Sequence, residues 1–151
     1  MRILMVCLGN ICRSPIAEGV LQHKANDRGL NWTVESAGTE SYHIGEAPHR
    51  FSQQICLQNG IDISSQRARR FTRADLAKYD IIYALATDVY AEIESIVGKN
   101  TDSSNVKLFL DELQPGTNAS VPDPYYGGQD GYTHVYDLID QTCEAIIKKY
   151  N

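Results

Sequence analysis

No run of apolar residues approaches the roughly eighteen needed to cross a bilayer. The opening Met1-Arg2-Ile3-Leu4-Met5-Val6 lacks the small-residue cleavage site of an export signal. A cytoplasmic protein without membrane contact is the expectation. Positive charge is also short: 14 Lys+Arg stand against 19 Asp+Glu, a net charge of -5, so the field of a nucleic-acid or anionic-lipid binder is missing. Cysteine is sparse, and a chain of 151 residues folds without staples, so Cys7, Cys12, Cys56 and Cys143 are expected to be thiols, with Cys56 and Cys143 as small apolar groups inside helices. His23, His43, His49 and His134 lack ligand-pair spacing with each other or with Cys7 and Cys12, so no metal is expected. With no repeat, low-complexity tract or linker, residues 1–151 read as one domain.

What is present has a regular rhythm. From Arg2 to Cys7 runs a short continuous apolar segment, the pattern of a strand buried on both faces of a parallel sheet. Ser14-Pro15 reads as a helix start with Ser14 as N-cap, the helix running to about Arg28 and ending at Gly29. Trp32 to Ser36 is a second strand, and Ala47-Pro48 to Asn59-Gly60 a second helix. Asp80 to Leu85 is a third buried strand. Behind it comes a helix capped by Asp88, with Val89, Ile93, Ile96 and Val97 on one face, closed by Gly98. Val106 to Phe109 is the fourth strand. A polar stretch from Asp111 to Gly131 then precedes a last helix carrying Val135, Leu138, Ile139, Thr142 and Ile146 on one face. Alternation of this kind predicts an α/β fold, a four-stranded parallel sheet with helices on both faces. Ligands of such sheets bind at the carboxyl ends of the strands, beyond Cys7, Ser36 and Leu85.

The turn after Cys7 has the makings of an anion cradle. Backbone N–H groups of residues Leu8, Gly9, Asn10, Ile11 and Cys12 and the start of the following helix offer positive potential. A thiol at the floor of that cradle is favoured as thiolate, which makes Cys7 a nucleophile. Arg13 presents a planar fork to two phosphate oxygens. Gly9 permits backbone conformations closed to other residues, and Asn10 tolerates the left-handed region. Attack on phosphorus expels an alcohol or phenol oxygen that needs a proton, and Asp123, held out of helical conformation by Pro124, is the candidate acid.

Val6-Cys7-Leu8-Gly9-Asn10-Ile11-Cys12-Arg13-Ser14-Pro15-Ile16-Ala17-Glu18 and Asp123-Pro124-Tyr125-Tyr126, with Glu35-Ser36-Ala37-Gly38-Thr39 and Tyr79-Asp80 between them, resemble the low-molecular-weight protein tyrosine phosphatases along essentially the whole chain. The resemblance implies Cys7 as nucleophile, Arg13 as phosphate ligand, Ser14 as hydrogen-bond donor to the thiolate, Asn10 as keeper of the loop's shape and Asp123 as general acid, then base. It also implies a reversible, protective disulfide between Cys12 and Cys7. Three positions depart from the family's pattern. Gln66 stands where a histidine commonly joins a serine, here Ser36, in supporting the loop asparagine, so support without a titrating group is expected. Leu85-Ala86 replaces Met-Asp after the third strand, with Asp88 two residues on. Tyr42 and His43 fall at the variable rim, where Tyr42, Tyr125 and Tyr126 would wall a slot for a phenyl ring.

The expectation is a cofactor-independent, monomeric phosphatase acting on phosphotyrosine in proteins, inhibited by phosphate and other oxyanions, with no nucleic acid or membrane partner. One alternative is an arsenate reductase on the same scaffold, which would need further cysteines near the third strand; residues 80 to 95 contain none. The other is a silent anion-binding module, disfavoured by the joint presence of Cys7 and Asp123. The run Arg67, Arg69, Arg70, Arg73 reads as a solvated or ion-paired face.

Overall fold

The computed structural model describes residues 1–124 and 128–151. Its elements alternate as β1 (Arg2–Cys7), α1 (Arg13–Asp27), β2 (Thr33–Gly38), α2 (Arg50–Gln58), β3 (Ile81–Ala84), α3 (Thr87–Val97), β4 (Val106–Leu108) and α4 (Gly128–Tyr150). Short 3-10 turns lie at Arg73–Ala77 and Phe109–Glu112. The strands form one parallel sheet in the order β2-β1-β3-β4, the α/β arrangement expected.

The apolar run of β1 explains its central place. Ile3, Leu4, Met5 and Val6 have no exposed surface, and the two-residue period sends them to opposite faces. Ile3, Met5 and Cys7 join a core with residues of α1, α2 and α4. Leu4 and Val6 join a second core with Val89, Ile93 and Val97 of α3 and with Phe71 and Tyr79. Each such side chain contributes roughly 1.5–3 kcal/mol through burial. The chain leaves β1 to pair β2 on one side, then crosses to pair β3 on the other, so the carboxyl end of β1 opens at the switch point.

Several element starts differ from the sequence pattern, and each has a local cause. Ser14 is not the cap of α1: the helix begins at Arg13, with Cys12 at the cap position and no side-chain cap bond, because the Ser14 hydroxyl is engaged by Asn10 and Cys7. Pro15 still lies in the first turn, where its missing N–H has no partner to lose. Helix α2 starts at Arg50 rather than Ala47-Pro48, and His49 caps it by accepting from the Phe51 N–H. Ala86 stands at the cap of α3, and Asp88 lies inside its first turn with Oδ1 accepting from the Val89 N–H. The last helix begins at Gly128, within the stretch expected to be loop.

Candidate active site

The segment joining β1 to α1 is tied down by its carbonyls. Leu8 O accepts from the Glu40 N–H at 2.9 Å, Ile11 O from the His49 N–H at 2.8 Å, and Cys12 O from the Ser52 hydroxyl at 3.2 Å. Among the described residues, no backbone N–H from Leu8 to Cys12 is spent on a partner within the chain. Buried amides demand an acceptor, so a bend with the carbonyls of Leu8, Ile11 and Cys12 satisfied and its N–H groups free is suited to receive an oxyanion.

Asn10 sets the shape of this bend. Its φ is 58, in the left-handed region that asparagine tolerates, and its amide is fully used. Nδ2 donates to Ser14 Oγ at 2.8 Å and to Ser36 Oγ at 2.9 Å, while Oδ1 accepts from the Arg69 N–H at 3.0 Å. Because Ser14 Oγ receives an Asn10 proton, its own proton is free for Cys7 Sγ, 3.0 Å away, the geometry of a hydroxyl holding a thiolate. Ser36 likewise donates onward to Glu18 Oε1 at 2.7 Å. Burial pushes the Glu18 carboxyl up to about 7 against the bond from Ser36, with Glu35 adding to the rise and Arg69 opposing it.

Gly9 was expected for its conformational freedom; its φ is not among the positive ones, and the left-handed turn falls to Asn10. What position 9 lacks is room, since a Cβ would stand 3.0 Å from His43 Cδ2. At Gly38, where β2 abuts the bend, a Cβ would lie 2.6 Å from Leu8 O and 3.0 Å from the Asn10 N. Gln66 gives its side-chain hydrogen bond to Pro15 O at 3.1 Å, not to Asn10 or Ser36, and its Oε1 is buried without a partner. It therefore supports the start of α1 and reaches the loop only through that helix.

A cavity of about 270 Å³ opens over Cys7, lined by Leu8, Gly9, Ile11, Cys12, Arg13, Glu40, Tyr42, His43 and Asp123. A wider groove of about 780 Å³ beside β4 is lined by Lys107, Asp111, Glu112 and Lys149 among others; Lys149 pairs with Glu112 and Lys107 bonds Tyr150, while Asp111 Oδ1 is buried without a hydrogen-bond partner among the described residues. In the smaller cavity Arg13 is 4% exposed, its Nη1 donating to Val121 O at 3.1 Å and its Nη2 lying 3.8 Å from Asp123 Oδ2. Cys7 at 2% exposure forms the floor. Tyr42, 80% exposed, stands at the mouth with His43, whose Nδ1 lies 2.8 Å from Glu46 Oε2. Tyr125 and Tyr126 lie outside the described residues.

Cys12 shares the bend but not the chemistry of Cys7. Burial pushes its thiol up to about 12, the hydrogen bond with Tyr132 opposing and the neighbouring Cys7 and Asp123 adding. Its Sγ lies 3.1 Å from the Tyr132 hydroxyl, and His49 stacks on that ring at 5.5 Å. Cys56 and Cys143 are buried free thiols, as expected, and burial pushes Cys56 up to about 12.

The structure thus brings Cys7, Arg13, Ser14, Asn10, Ser36 and Asp123 to one place. Sequence reasoning missed Glu40, which lines the cavity from the loop after β2, and the Arg69 backbone N–H. It quoted Glu18 within a motif but gave it no role. Position beyond the carboxyl end of a strand was the signal for Glu40; nothing local in the sequence marks the backbone of Arg69.

A family model described as Low molecular weight phosphotyrosine protein phosphatase matches residues 2–151. The low molecular weight protein-tyrosine-phosphatase YfkJ of Bacillus subtilis is 38% identical over 148 residues, covering 96% of this chain and 92% of that protein. The Homo sapiens low molecular weight phosphotyrosine protein phosphatase is 34% identical, covering 97% of this chain and 94% of its own. Among solved structures, the Drosophila arginine phosphatase superposes with a TM-score of 0.92 at 30% identity, covering 100% of this chain and 98% of that one.

Proposed function

Since this chain belongs to the low molecular weight phosphotyrosine protein phosphatase family, we propose that its hydrolysis of phosphotyrosine runs through a cysteinyl-phosphate on Cys7, with Arg13 as phosphate ligand and Asp123 as general acid and base. The observation that carries this reading is the Ser14 hydroxyl 3.0 Å from Cys7 Sγ, beside a bend whose amides are unspent and an arginine held over the same cavity. Residues Leu8 to Ser14 receive the phosphoryl oxygens, Asn10, Ser14 and Ser36 hold the bend, and Gln66 braces the helix behind it.

The dianion takes the fork of Arg13, beside which Asp123 serves as the acid. Cys7 Sγ attacks phosphorus in line, the S–P bond forms as the P–O bond to the phenol breaks, and Asp123 passes its proton to the departing oxygen. Asp123, now a carboxylate, takes a proton from water. The hydroxide oxygen bonds phosphorus, the S–P bond breaks, and inorganic phosphate leaves with Cys7 again a thiolate that Ser14 stabilises. Positioning and charge supply the catalysis, as a loose phosphoryl transition state requires, and no step calls for a cofactor.

Substrates are phosphotyrosine proteins whose ring lies against Tyr42, with His43 at the rim. The chain acts as a monomer in the reducing cytoplasm, where Cys7 stays free. Peroxide converts Cys7 to a sulfenic acid, and attack by the Cys12 thiol forms a disulfide with loss of water, which a dithiol reverses. Cys12→Ala is expected to lose that recovery; full recovery would remove the protective role.

The deciding test is phosphate release from phosphotyrosine, phosphoserine and phosphoarginine peptides, with arsenate reduction measured alongside. Preference for phosphotyrosine is expected, with Cys7→Ser inactive yet able to bind oxyanions; preference for phosphoarginine, or hydrolysis by Cys7→Ser, overturns the reading. Asp123→Asn should slow phenyl phosphate at least tenfold more than an ester of a strongly acidic phenol, about the scale of general acid catalysis. Equal losses would remove Asp123 as acid.

A further inference from the structure

The hydrogen bonds beneath the phosphate loop have a direction. From Cys7 Sγ they run 3.0 Å to Ser14 Oγ, 2.8 Å to Asn10 Nδ2, 2.9 Å to Ser36 Oγ and 2.7 Å to Glu18 Oε1. The Asn10 amide lies in the middle and is a donor on both sides, so each serine must turn its proton away from Asn10. One proton goes to Cys7. The other goes to Glu18, which makes a carboxylate the natural terminus at the far end, as a thiolate is at the near end.

Among the described residues Glu18 has no dedicated cation. Ser36 and Glu35 face it from β2, and Glu35 is itself held by Arg2 at 3.2 Å and by the Tyr79 hydroxyl at 3.0 Å. Arg69 acts on it from the segment before the first 3-10 turn, but that guanidinium is committed to Asp75 at 3.0 and 3.1 Å and to Tyr79 at 3.1 Å. Ile61, Ile63 and Gln66, packed at neighbouring Gly19, carry no charge. Burial with one carboxylate neighbour and one distracted arginine leaves Glu18 titrating near neutrality, at about 7.

We propose that Glu18 is a titrating positioning residue of the phosphate loop: when ionised it takes the Ser36 proton and so keeps Ser36 Oγ as an acceptor for Asn10 Nδ2, the amide whose other proton turns Ser14 toward Cys7. When protonated, the same carboxyl can donate to Ser36 Oγ in competition with Asn10, and the Ser36 proton loses its charged acceptor. The loop is then held less firmly in the form that presents Ser14 to the thiolate. The active enzyme is the one with Glu18 ionised, and catalysis weakens as pH falls through that ionisation.

The proposal rests on the reading of Cys7 as nucleophile, and its test separates the two. In the full chain labelled at the glutamate side-chain carboxyl carbon, NMR follows Glu18 and the Asn10 side-chain amide from pH 5 to 9 without any turnover. Both should move with one midpoint near 7. In parallel, kcat/KM for an aryl phosphate is compared between the native chain and Glu18→Gln on the same substrate. The native profile should rise about fivefold through neutrality, a component that Glu18→Gln lacks, leaving the variant about fivefold slower at pH 8, the scale of exchanging a charge-assisted hydrogen bond for a neutral one. A Glu18 midpoint below pH 5.5, an Asn10 amide that does not follow it, or an unchanged inflection in Glu18→Gln overturns the proposal. If Glu18→Gln does not fold, the NMR titration of the native chain decides alone. Absence of any hydrolysis by the native chain would instead strike the phosphatase reading and leave that titration readable.

Discussion

Asn10 carries more structure than its size suggests. Its side chain holds Ser14, Ser36 and the Arg69 backbone at once, on a backbone with φ of 58. Asn10→Ala removes all three bonds and places alanine in a region that costs it roughly 1–2 kcal/mol. The far-ultraviolet circular dichroism should stay native, while kcat falls about a hundredfold, the scale of a small misplacement of catalytic groups; a loss under threefold would deny Asn10 its part. The sequence pointed to Asn10 through its tolerance of left-handed backbone, but Glu18 could not be read that way. Its role depends on Ser36 arriving from β2 and on there being no paired cation among the described residues, neither of which shows in the local sequence. Glu18 also ties pH to stability. Folded, it keeps its proton up to about 7, against an ordinary 4.5. Between those values the native state binds more protons than the unfolded one, so this group's contribution to stability falls as pH rises, and the cost persists above 7. Relative to the native chain, Glu18→Gln should therefore gain thermal midpoint between pH 5 and pH 8. A relative midpoint that declines over that interval contradicts the assignment.

At the scale of elements, β2 ends where the phosphate bend begins. Gly38 permits this, for a Cβ there would stand 2.6 Å from Leu8 O, and that carbonyl is fixed by the Glu40 N–H. Gly38→Ala must displace the bend and is expected to cost at least tenfold in kcat together with about 1–3 kcal/mol of stability, the range for overpacking. Gly60→Ala, at φ +79 with open space around it, should cost about 1–2 kcal/mol from backbone strain and leave kcat unchanged; urea melts with parallel assays check both. Among the described residues the strands were legible as short apolar runs, the first two helices from their Pro and Gly boundaries and the last two from apolar periodicity, because all of these are local properties. Helix starts were less legible. Ser14 and Asp88 have the chemistry of caps, yet the first is drawn to Asn10 and Cys7 and the second sits inside its helix. Both outcomes depend on which nearby hydrogen bonds the folded chain forms, which the chemistry of a cap residue does not show by itself. The 3-10 turn at Arg73–Ala77 escaped notice for a similar reason: Asp75, 1% exposed, serves both the Thr72 N–H and the Arg69 guanidinium.

Across the whole molecule, the two ends of the fold are held by different means. Around Cys7 the bend is fixed by directed hydrogen bonds. At the far edge α4 is fastened to the sheet by charge and phenol: Tyr83 donates to Glu112 at 2.6 Å, Lys149 meets the same carboxylate at 2.9 Å, and Lys107 bonds the Tyr150 hydroxyl at 3.1 Å. Tyr83→Phe deletes one buried hydroxyl and should lower stability by about 1–2 kcal/mol with kcat intact; a loss of activity larger than twofold would show that the edge communicates with Cys7. Among the described residues no helix is long and apolar enough to cross a membrane. The order β2-β1-β3-β4 gives β1, which ends at Cys7, a neighbour on each side. Its amides, with those of β3, should then be the slowest of the sheet to exchange with deuterium, opening only when the entire domain does. Turnover should consequently vanish in the same denaturant interval as the sheet itself, leaving no half-melted species that still releases phosphate.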